Sequence, residues 1–276
     1  MSFLVLLLVL WIEKFSAWRQ RIQKDGPWLQ LLARGEGREQ TSPWGRLLVL
    51  VLLPVVVLGI LLLLIKPLAY GWLALPVHLL ILIYSLGRGD VLTALGPFRD
   101  AWRRGDDQAA LHVAERDLGV VADGEAELLL NVQRYQLWQA YQGFFVVIFW
   151  YALLGPLVAL AYRLLALVVE HSRQAPLVER AAQLRHALDW LPGRVLAASF
   201  ALVGNFAAVS RVVLHDLLSW DIPAAQLLVS AGRAAGELPE PQPGESGVSS
   251  LDELWQLLVR AAVLWYAAFA VWILFL

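Results

Sequence analysis

Nineteen consecutive residues, Leu47 to Ile65, carry neither a charge nor a strongly polar group. As a helix they would be roughly 28 Å long, close to the roughly 30 Å hydrocarbon thickness of a bilayer. A soluble fold has no surface on which to leave such a run, so it decides the class of the whole chain. Pro54 and Gly59 lie inside it, and membrane helices tolerate both better than soluble ones do. After Lys66-Pro67 a second apolar run, Leu68–Leu86, follows, with Tyr70 and Trp72 at its start and Tyr84 near its end as interface anchors. The spacing predicts a transmembrane hairpin over 47–87. Composition agrees: 16% of the residues are charged, where a soluble domain has about a quarter.

Several functions are excluded at once. Without cysteine there is no disulfide, zinc–thiolate site, iron–sulfur cluster or thiol nucleophile. A net charge of −1 offers nucleic acid no attraction, so it is not expected as a partner. Ser2–Ile12 is apolar, but no cation precedes it and no small-residue cleavage site follows. It reads as a retained half-membrane helix, and 1–46 as that helix plus a basic cytoplasmic segment.

From Arg88 to Gln142 the chain becomes polar, with six Arg and nine acids. Leu111, Ala114 and Leu118 recur at helical spacing, as do Leu128, Leu129, Val132 and Tyr135. This predicts a cytoplasmic layer of amphipathic helices over 88–142 whose charges form a solvated face. Glu13–Arg46 holds seven Lys or Arg against four acids, and the positive-inside rule places it in the cytoplasm as well.

The region 143–214 contains the block Phe144–Val169, interrupted at Gly155-Pro156. Pro156 cannot donate to the carbonyl four residues back, so the block is either a kinked span or two half-helices that re-enter on one side. The re-entrant form keeps the Arg-bearing stretch after it in the cytoplasm. Val195–Leu214 is a weaker, small-residue helix. Residues 215–250, rich in Pro, Gly, Glu and Ser from 232 on, read as a flexible linker. Ser250-Leu-Asp-Glu253 matches a capping box, which starts a C-terminal transmembrane helix over 251–276 with Arg260 snorkelling. The predicted fold class is therefore all-α: a polytopic helical membrane protein with re-entrant or broken helices and a cytoplasmic helical layer.

No phosphate loop of Walker type, nucleophile elbow or His-Glu-x-x-His helix is present, and the five His lack ligand spacing. No catalytic residue, metal site or cofactor is predicted. Ionisable groups inside apolar segments are the remaining candidates. Arg163 and Glu170 lie seven residues apart, about two helical turns, and can share a face; snorkelling of Arg163 to the headgroups is the structural alternative. In Leu188-Asp-Trp-Leu-Pro-Gly-Arg194, Asp189 either caps a helix beginning near Pro192, with Arg194 at the headgroups, or the pair binds a polar ligand.

At this string, and at Phe149-Trp-Tyr-Ala-Leu-Leu-Gly-Pro-Leu-Val-Ala-Leu-Ala-Tyr-Arg163, the chain resembles the CobD/CbiB membrane proteins of cobalamin biosynthesis. It is more similar to their divergent relatives, the AmpE family, which Leu10-Trp-Ile-Glu-Lys-Phe15 also resembles. The cobalamin enzymes carry a polar motif with carboxylates before the Phe-Trp block and another after it. Here those places read Trp138-Gln-Ala-Tyr-Gln-Gly143 and Leu164-Leu-Ala-Leu-Val168. The AmpE resemblance implies a bacterial inner-membrane, multi-pass sensor linked to cell-wall recycling and β-lactamase induction, without catalytic machinery. Its partners would be the bilayer and another inner-membrane protein or a muropeptide-type ligand. Two rival readings are a corrinoid amide synthase with a relocated site and a muropeptide or lipid transport component.

Overall fold

A computed structural model describes Val5, Leu8 and residues 25–36, 42–67, 73–87, 90–238 and 245–275. Among these, every regular element is helical. The helices are α1 (Gly26–Glu36), α2 (Pro43–Ile65), α3 (Ala74–Ser85), α4 (Val91–Arg103), α5 (107–118), α6 (Glu125–Leu154), α7 (Pro156–His171), α8 (Ala175–Val203), α9 (Phe206–Val213), α10 (Ala224–Ala235) and α11 (Glu245–Phe275). The chain divides into two compact units, Met1–Arg88 with Val146–Asp189, and Gly89–Phe145 with Trp190–Leu276.

In the first unit α2 begins as its sequence dictates. Ser42 caps it, accepting from the Gly45 N–H at 3.1 Å, and Pro43 takes a position where no N–H is needed. A π-helical turn, Leu48–Leu52, precedes Pro54. Pro54 lacks the N–H that would answer the Leu50 carbonyl, and the Trp28 indole donates to that oxygen instead, at 3.1 Å. Leu32, Leu47 and Leu50 pack with Leu165, Val168, Leu177 and Ala181. Farther along, Leu58 packs with Leu160, Leu164 and Leu167 beneath Val77, Ile81 and Tyr84. The other face of α2 stays bare, with Leu63 70% and Leu64 66% exposed. Apolar surface of that kind has lipid as its solvent.

In the second unit Asp90 caps α4, accepting from the Leu92 N–H, and Asn205 caps α9, accepting from the Ala208 N–H. Gly119, at φ +66°, ends α5 in the left-handed conformation that suits glycine. Leu95, Phe98, Trp102, Leu128, Val132, Val248 and Leu251 form the core. Gly193 and Gly204 let α10 lie close against the end of α8. A Cβ on Gly193 would come within 2.7 Å of the Ala224 Cβ, and one on Gly204 within 2.8 Å of the Ala235 Cβ. A polar network also crosses this unit. Gln133 donates to the Ser250 hydroxyl at 2.8 Å and accepts from Arg233, and Gln136 donates to the Leu251 carbonyl at 3.0 Å.

Among the described residues, three helices are long and apolar enough to cross a membrane: Pro43–Ile65, Glu125–Leu154 and Gly247–Trp272. The second helix of the expected hairpin is shorter than predicted. Helix α3 has 12 residues, roughly 18 Å, and Leu68–Trp72 lie outside the described residues. The polar region 88–142 does not end where the sequence reading put its border, because α6 runs unbroken from Glu125 into the apolar block. Its Gln133 and Gln136 are buried and hydrogen-bonded, so the sequence gives them the look of a solvated face that they do not occupy. The predicted linker 215–250 contains the packed helix α10. The C-terminal helix starts at Glu245, five residues before the capping-box serine. Ser250 instead donates to the Gly247 carbonyl within that helix. Of the predicted half-helix Ser2–Ile12 only Val5 and Leu8 are among the described residues, and 13–24 fall outside them.

Candidate functional site

The break in the third apolar block is a backbone fact. Gly155 sits at φ +82°, ψ −168°, a conformation open to glycine and costly for other residues, and Pro156 opens α7 at its first position. On either side, residues 146–154 and α7 pack against each other. Helix α7 buries nearly its whole length, including two polar side chains in succession, Tyr162 and Arg163.

Arg163 does not snorkel. Its side chain is 8% exposed and its Nη2 reaches Asp25 Oδ2 at 3.2 Å, with Asp25 1% exposed just ahead of α1. The expected partner, Glu170, lies at the exposed end of α7, while the buried carboxylate comes from the residue just ahead of α1, more than a hundred residues away in sequence. Removing one member of such a pair strands a charge in low dielectric and costs about 3–5 kcal/mol.

Asp189 is not a helix cap. Helix α8 runs from Ala175 to Val203 straight through Pro192, so no helix starts there. The buried Asp189 carboxylate accepts from the Tyr162 hydroxyl at 2.8 Å and faces Arg185, one turn earlier, at 3.5 Å. Pro192 is accommodated because the carbonyl it leaves unanswered, that of Leu188, accepts from the Trp150 indole at 3.1 Å.

Arg194 belongs to the second unit and has different company. Its guanidinium donates to the carbonyls of Trp190, Leu217, Ser219 and Ile222, and lies 4.7 Å from the centre of the Trp190 ring. It is buried rather than set among headgroups. Burial pulls its pKa below the ordinary arginine value, with the Tyr141 phenol opposing that shift. The side chain ties down the turn 214–223 by its backbone, a task suited to five donors in a fixed fork.

The four predicted site residues therefore do not form one constellation. Arg163 pairs with Asp25, Asp189 with Tyr162 and Arg185, Arg194 with backbone carbonyls, and Glu170 is exposed. The sequence reading missed Asp25, Tyr162, Arg185 and Trp150. Arg185 was findable, four residues before Asp189 on a helix, and a proline inside a helix always asks which donor serves the orphaned carbonyl. Nothing near Asp25 announced its partner. Among the described residues no group of three or more His, Asp or Glu could hold a metal.

A family model described as "Regulatory signalling modulator protein AmpE" matches residues 1–229 of the chain. No curated protein and no solved structure matches it.

Proposed function

We propose that this chain, which belongs to the AmpE family of regulatory signalling modulator proteins, couples the state of cell-wall recycling to β-lactamase induction from a multi-pass position in the bacterial inner membrane. The observation that carries this reading is the family match over residues 1–229, on a helical scaffold with three helices fit to cross a bilayer among the described residues. The disposition of the polar groups supports a regulatory rather than catalytic role. Arg163, Asp189 and Arg194 are each engaged by protein groups, and a paired charge in an apolar bundle is a natural element for a two-state switch. The bilayer is one partner. A second inner-membrane protein or a muropeptide-type ligand would bias the switch.

The test is genetic complementation. In a strain that lacks its own copy, expression of the chain restores normal induction of β-lactamase by a β-lactam, and the Arg163→Ala variant restores less of it. Equal induction with and without the chain would remove the reading.

A further inference from the structure

An open cavity of about 550 Å³ lies in the second unit where the ends of α8 and α10 meet one face of α11. Asn205, Glu237, Glu253 and Arg260 line it, with Gly204 and Leu257. Glu253, Leu257 and Arg260 follow one another at offsets of four and three, so they share a helix face. The Arg260 guanidinium is held in place by the Val203 carbonyl at 3.2 Å and the Gln256 carbonyl at 3.4 Å, through Nη1 and Nε. Nη2 makes no hydrogen bond among the described residues. Two helix C-termini also end here, and their carbonyl dipoles favour a cation.

Glu237 adds an independent observation. It is the one non-glycine residue at positive φ, +49°, among the described residues, directly after Gly236. Glycine is the residue that suits this place, since a side chain in the left-handed region is strained. The chain nevertheless carries a carboxylate here, fixed by a hydrogen bond from the Asn205 amide. Strain of this kind clusters at sites that bind.

We propose that this cavity binds a phosphorylated primary amine of the phosphoethanolamine type, presented as an aminophospholipid headgroup. Glu253 and Glu237 receive the ammonium, and Arg260 receives the phosphate. The depth fits a headgroup: Arg260 is followed by 16 uncharged residues, Ala261 to Leu276, so it stands where the polar part of α11 gives way to its lipid-facing part. The long arginine stem suits that boundary.

Native mass spectrometry of the full chain in detergent tests this, with phosphatidylethanolamine, phosphatidylcholine and phosphatidylglycerol offered in equal amounts. Phosphatidylethanolamine should be retained at least about fivefold over phosphatidylcholine, whose quaternary ammonium has no N–H to give. Glu253→Gln should abolish that preference. Glu253 is exposed, so its loss leaves folding intact. Glu237→Gly should raise the melting temperature, by relieving the backbone, and still weaken the preference. Soluble phosphoethanolamine that competes at millimolar concentration, without any retained lipid, would keep the site and assign it to a free ligand. Equal retention of the three lipids with no competition by phosphoethanolamine would overturn the proposal, as would a preference unchanged in Glu253→Gln.

Discussion

The indole N–H of Trp150 donates to the Leu188 carbonyl, the acceptor that Pro192 leaves without its helical donor. Trp28 does the same for Leu50, which lies four residues before Pro54. Two prolines thus sit inside long helices without ending them, and each has a tryptophan supplying the missing hydrogen bond. An unsatisfied buried carbonyl costs about 1–3 kcal/mol. Trp150→Phe should therefore destabilise the protein by about that amount in a detergent melting experiment. Pro192→Ala restores the helical donor, so in that background Trp150→Phe should cost much less. Equal costs in both backgrounds would mean that the indole works by bulk alone.

Arg163 and Asp25 make the next test. Arg163→Ala or Asp25→Ala should each cost about 3–5 kcal/mol, because each strands a buried charge. Replacing both with leucine removes charge and counter-charge together and should be clearly milder than either single change. Additive losses in the double variant, read by melting temperature, would argue against a pair.

For Asp189 the expected order is specific. Tyr162→Phe removes one hydrogen bond to a charged acceptor, about 1.5–3 kcal/mol. Asp189→Asn can still accept from the Tyr162 hydroxyl but no longer neutralises Arg185. Asp189→Ala loses both and should melt lowest of the three. β-Lactamase induction should fall in step with the folded fraction. Wild-type melting together with lost induction in Asp189→Asn would assign the carboxylate to a ligand instead.

The class of the protein was legible because Leu47–Ile65 admits one environment only, and Gly155-Pro156 announced its break correctly. What stayed hidden was everything that depends on a distant partner. Gln133 and Gln136 look like surface residues until Ser250 and the Leu251 carbonyl are placed beside them. Pro192 reads as a helix start because sequence cannot show Trp150 at the Leu188 carbonyl. Arg163 reads as a snorkelling or Glu170-paired cation because Asp25 lies 138 residues away. Hydrophobic periodicity reports which face is buried, but not which polar group makes a buried polar residue affordable.

Close helix packing gives a fourth expectation. Gly193→Ala would bring a methyl within 2.7 Å of the Ala224 Cβ, and overpacking of this kind costs about 1–3 kcal/mol. Ala224→Gly should recover most of the loss when combined with it. No drop in melting temperature for Gly193→Ala would show that α10 does not hold this approach.

Orientation is open to chemical labelling. Gln108 is exposed at the start of α5, and the chain has no native cysteine to confuse the result. Gln108→Cys should resist an impermeant maleimide in intact spheroplasts and react after lysis. Labelling of intact spheroplasts would invert the topology proposed from the cation-rich segments.

The network joining Gln133 to Ser250 and Gln136 to the Leu251 carbonyl spans 117 and 115 residues of chain. A ribosome that adds roughly 5–20 residues per second needs on the order of ten seconds to cover that distance. During that interval the nascent helix carries two amides whose eventual acceptors have not been synthesised. Biogenesis must therefore shelter this segment, in the insertion machinery or at the aqueous boundary, until the last helix emerges. A transcript truncated before codon 245 would leave those amides permanently unmatched, and its product should be cleared by quality-control proteolysis although every earlier helix is present.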